Sequence, residues 1–107
     1  MKELNIFKYV SAMTTELDKV FEKMRESEDI TTLRRRGCFA VGNVNAMIVM
    51  SNEMICTENN EITAALDELE ESLMAKVYSV LANRAHELGE EEWFVKFSKT
   101  RDEYIKV

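Results

Sequence analysis

The stretch Arg34–Cys56, RRRGCFAVGNVNAMIVMSNEMIC, decides how this chain is read. It is the most apolar part of the sequence, with Met47, Ile48, Val49 and Met50 in succession, and it follows three consecutive arginines. Two foldings compete for it. As a helix, it sets Leu33, Ala40, Val44, Met47 and Met54 near one line, with Val41, Ile48 and Ile55 beside it. As a hairpin, it turns at Gly42-Asn43, a pair that suits a type II′ turn, between CFAV and VNAMIVM. A lone hairpin needs a further strand or a packed partner, and neither flank reads as a strand. The helix is therefore the expectation for residues 38–50. Small Gly37 and Ala40 would let another helix come close.

The flanks support a helical chain. Ile6, Val10, Met13, Leu17, Val20 and Met24 follow spacings of four and three, a heptad line widened by Phe7 and Phe21. Such a line faces either the core of a bundle or a second copy of the chain. Ser27-Glu28-Asp29 interrupts the pattern, and Asp29 or Thr31 can cap the next helix. Downstream, Asn59 and Asn60 can cap a third helix over about residues 61–88, with Ile62, Leu66, Leu69, Leu73, Val77, Val80, Leu81 and Leu88 inside. Gly89 suits the left-handed stop after it. A last helix opens on Glu90, Glu91 and Glu92, which favour the positive end of the helix dipole. Its apolar side carries Trp93, Phe94, Phe97, Tyr104 and Ile105, and its bases come late. The absence of proline and the count of three glycines in 107 residues fit long helices with few loops. The expected architecture is all-α, a single domain over residues 1–107: three long helices and a shorter C-terminal one in a bundle.

Composition narrows the function classes. With 46% hydrophobic and 32% charged residues the chain reads as globular rather than disordered. A net charge of −6 disfavours direct nucleic-acid binding, which needs a basic face, and favours a basic protein partner. The opening MKELNIFKYV has charges where a signal peptide has an apolar run, and no segment approaches a bilayer span of about 20 apolar residues. Cytoplasmic localisation and no membrane association are the expectations. Cys38 and Cys56 match no metal spacing and are read as reduced thiols of the core.

Four groups of residues could carry function. Between Gly37 and Ala75 the charged residues are all acids: Glu53, Glu58, Glu61, Asp67, Glu68, Glu70 and Glu71. Glu61, Asp67, Glu68, Glu70 and Glu71 are expected on the outer side of the third helix. Solvated faces usually mix signs, because like charges at these spacings repel, so an unrelieved acidic face suits a basic partner. Trp93 and Phe94 would serve as anchors for that partner if the last helix leaves them open. Arg34, Arg35 and Arg36, with Arg84 or Arg101, are the alternative: salt-bridging residues, or the site of an anionic nucleotide in an oligomeric ligand-sequestering protein. No phosphate-loop or dinucleotide motif accompanies them. Met47, Met50 and Met54 could hold a client helix in a structural or secretion-chaperone-type module, or fill the core. His86, the only histidine, has no nucleophile or second ligand near it in sequence and is read as a helix C-terminal charge.

Leu66–Tyr104 resembles the helix, loop and second-helix start of ferritin-like proteins, whose metal site needs a Glu on one helix and Glu-x-x-His on the next. Glu70 or Glu71 and Glu103 match in part, but position 106 is Lys, so the resemblance implies no complete metal site. No catalytic residue, metal or cofactor is expected. The function expected is that of a small acidic protein, a homodimer, that masks a basic partner as immunity proteins and phage-encoded inhibitors do.

Overall fold

The computed structural model describes residues 2–55 and 60–105. Four helices follow in order: α1 (Lys2–Arg25), α2 (Ile30–Glu53), α3 (Asn60–Glu87) and α4 (Glu91–Tyr104). This is the expected bundle of three long helices and a shorter fourth. The hairpin alternative is not adopted: α2 runs unbroken through Gly42-Asn43.

The heptad line of α1 faces the chain's own core. Ile6, Leu17, Phe21 and Met24 are buried, and Val10, Met13 and Val20 are partly buried. Asp29 is the residue that caps α2: Oδ1 accepts from the Thr32 backbone N–H at 2.7 Å and Oδ2 from the Thr32 hydroxyl at 3.0 Å. Those hydrogen bonds, the backbone one first, hold its carboxyl below the ordinary value of 3.8. The start of α3 lies at Asn60, while Asn59 and Cys56 fall outside the described residues. At the other end of α3, Glu90 N–H donates to Ala85 O at 2.9 Å and Gly89 N–H to His86 O at 3.0 Å. The bond from Glu90 needs Gly89 at φ 77°, the left-handed stop expected there.

The C-terminus of α1 is tied to both other long helices. Ser27 is buried and its hydroxyl donates to Lys23 O at 3.1 Å. Arg36 of α2 donates to Lys23 O and, at 3.1 Å, to Ser27 Oγ. Arg84 of α3 donates through Nε to Ser27 O at 2.8 Å. Two guanidiniums thus donate to carbonyls of the last turn of α1 and of the turn that follows it, at the helix's negative end.

The main core lies between α1, α2 and α3 around Phe21, Met24, Leu33, Val44 and Val77. Gly37 decides how closely α2 and α3 approach: a Cβ built on it would stand 2.6 Å from Leu81 Cδ2. Helix α4 closes the C-terminal half of α3, where Phe97 sits 5.5 Å from Trp93 and 6.4 Å from Tyr78, and Tyr78 stacks on Tyr104 at 6.0 Å. Burial raises the Tyr78 hydroxyl above its ordinary 10.0. A smaller cluster, Met47, Ile48 and Leu66, fills the other end. The molecule is a slab of 48 × 28 × 14 Å with a radius of gyration of 15.1 Å, against about 13 Å for a compact domain of similar length.

Candidate partner-binding surface

The N-terminal halves of α1 and α3 enclose an open groove of about 460 Å³. Its floor and walls are Ile6, Val10, Ile62, Ala65, Leu66 and Leu69, with Glu61 at the edge. Phe7 stands on the rim with 61% of its surface exposed. Among the described residues nothing covers the outer part of α1's apolar line here, because α4 packs at the opposite end of α3. Sequence alone placed Phe7 in a widened core stripe; its neighbour Ile6 is buried while Phe7 itself is not.

The acidic residues of α3 divide around this groove. Helical residues turn about 100° each, so Glu61, Ala65 and Glu68 form one line along the groove's edge. Asp67 and Glu71 stand one turn apart on the next strip of the outer surface. Glu70 is different. It lies half a turn from Glu61, on the strip of Leu66 and Met74, and is partly buried. The expectation of five acids on one outer side therefore becomes four, of which Glu61, Asp67 and Glu68 are exposed and Glu71 is half-buried. Asp67, Glu68 and Glu70 form no salt bridge among the described residues.

No protein-family model, curated protein or solved structure matches this chain. Its function has to be argued from its own surfaces.

Trp93 and Phe94 are only half exposed. Trp93 packs on the core with the Arg34 guanidinium 4.0 Å and the Lys96 ammonium 4.6 Å from its ring centroid. Phe94 lies 4.9 Å from the His86 ring, and His86 Nδ1 is 2.8 Å from Glu91 Oε1. Both aromatics belong to the α3–α4 end, away from the groove.

The arginines do not converge. Arg34 is turned to Trp93, while Arg36 and Arg84 hold the end of α1. Arg35 instead shares a groove of about 450 Å³ with Arg36, Lys19, Lys23, Glu16, Val20 and Phe39, between α1 and α2. Sequence did not couple Lys19 and Lys23 to the arginines, because they meet only through the antiparallel packing of α1 on α2. Cys38 is exposed rather than in the core: it lies about 100° round from buried Gly37. The methionines split as well, Met47 buried, Met54 half-buried and Met50 exposed. Among the described residues no cluster of His, Cys, Asp and Glu could hold a metal ion, and no helix is long and apolar enough to cross a membrane.

Proposed function

We propose that this is a small cytoplasmic protein-binding protein that masks a basic partner, in the manner of an immunity protein or a phage-encoded inhibitor. The observation that carries the reading is the α1–α3 groove. An apolar floor with Phe7 on its rim, Glu61 at one edge and Glu68 two turns further along the same strip of α3 matches an amphipathic helix with a basic flank. Apolar contacts would supply the affinity, and the acids would steer the encounter and select against acidic competitors. Glu68, outside any salt bridge of the described residues, is the charge available for that selection.

The test is an affinity purification from the native host with the wild type and the Glu68→Lys variant in parallel, eluted by a salt gradient. A basic protein held stoichiometrically by the wild type, released by salt and absent from the variant supports the reading. Equal retention by both, or no stoichiometric partner for the wild type, overturns it. A Phe7→Ser variant separates the two contributions, since it should shorten the complex's lifetime with little change in salt dependence.

A further inference from the structure

The outer face of α2 is apolar as well as its inner one. Arg35, Phe39, Gly42, Ala46, Val49 and Glu53 follow spacings of four, three, four, three and four, which is the line of a coiled-coil seam. All six lie opposite the buried strip of Leu33, Ala40, Val44 and Met47. Phe39 is 60% exposed, Val49 58% and the adjoining Met50 51%. None of the described residues covers this line, and the slab is 14 Å thick through its thinnest direction.

We propose that a second copy of this chain covers it, with the two α2 helices antiparallel and crossing at the level of Val44. The line is its own complement in that orientation. Arg35 and Glu53 are equidistant from Val44, as are Phe39 and Val49, and Gly42 and Ala46. Antiparallel pairing therefore sets Arg35 against Glu53 at both ends, Phe39 against Val49 inside them, and Gly42 against Ala46 at the centre, where small residues let the backbones close. A parallel pairing would set like charges together at each end. Asn43 and Asn45 flank the crossing point on either side and supply polar contacts at its margins.

The ends also fit. Neither Arg35 nor Glu53 is in a salt bridge among the described residues. The groove beside Arg35 carries Lys19, Lys23 and Arg36 against Glu16, and the Asp29 carboxylate also lies near Arg35, so the end that receives the second copy's Glu53 keeps a positive balance. The contact is isologous and closes on itself, which stops assembly at a dimer. It uses a surface separate from the α1–α3 groove, so it stands or falls independently of the masking function.

Analytical ultracentrifugation across a concentration series tests it. The wild type should show a monomer–dimer equilibrium. Gly42→Glu should raise the dissociation constant by about tenfold or more, and it meets open space in the monomer, with nothing within 4 Å of its Cβ. Arg35→Glu and Glu53→Arg should each weaken self-association, because each places like charges at both ends. Their equimolar mixture should restore a dimer, since every end then pairs Glu with Arg. A wild type that stays monomeric throughout, or a dimer indifferent to Gly42→Glu, or a mixture no tighter than its components, overturns the proposal. If circular dichroism shows that Gly42→Glu does not fold, the mixing experiment decides alone.

Discussion

The two faces of α2 are nearly equal in apolar content and opposite in role. The inner face, Leu33, Gly37, Ala40, Val44, Met47 and Ile48, is buried against α1 and α3. The outer face, Phe39, Gly42, Ala46, Val49 and Met50, is open. Hydrophobicity alone does not choose between them, since burying either would release similar apolar area. The choice is made by shape: Gly37 admits Leu81 to the inner face, and Arg36 and Arg84 lock the end of α1 beside it. An apolar residue on α2 is thus buried or open according to its azimuth.

Truncation should expose that difference most strongly. Leu33→Ala, at a fully buried position, should cost about 2–5 kcal/mol in chemical denaturation. Phe39→Ala on the outer face should change monomer stability by no more than about 0.5 kcal/mol when measured at a concentration too low for self-association. Comparable losses at both positions would mean that the two faces are not distinguished by burial.

The glycines give a smaller but sharper contrast. Gly37→Ala should destabilise by about 1–3 kcal/mol, because its methyl enters the space of buried Leu81. Gly42→Ala meets nothing within 4 Å and should stabilise the monomer by about 0.5–1 kcal/mol through backbone entropy. Opposite signs for one chemical change in one helix would confirm which side α3 occupies. Ser51 extends the inner strip with a buried hydroxyl that has no hydrogen-bond partner among the described residues. Ser51→Ala should be neutral or raise stability by up to about 1 kcal/mol.

The smallest expected effect lies at the start of α2 and has a pH signature. Asp29 is exposed, and its hydrogen bonds from Thr32 lower its carboxyl pKa in the folded state. A group lowered on folding stabilises above its unfolded value and loses that contribution as pH falls through the folded one. The melting temperature of the wild type should therefore fall more steeply below pH 4 than that of Asp29→Asn, which keeps the cap without the charge. Parallel curves would show that the charge adds nothing to the cap.

Much of the fold was legible in the chain. The 4-3 line of α1, the Asp29 cap, the run of leucines and valines in α3 and the Gly89 stop are local signals, set by helical period and by which residues satisfy free backbone groups. Local signals also placed the acids of α3 and the arginines of α2. They did not say that Glu70 turns inward, that Arg35 joins Lys19 and Lys23, or that Phe7 edges a groove. Each of those depends on the rotation of one helix against another, which small differences in side-chain shape decide.

By itself, then, the sequence determined the helices, their order and their ends, because period and capping act within a few residues. The line Leu33, Ala40, Val44 and Met47 with small Gly37 already marked the core face of α2; the tertiary structure alone decided that its second apolar strip stays open, which arginines are spent on the end of α1, and where an apolar surface is left open beside acids. Those outcomes turn on the close approach of Leu81 to Gly37 and on the packing of α4 at one end of α3, contacts between residues far apart in the chain.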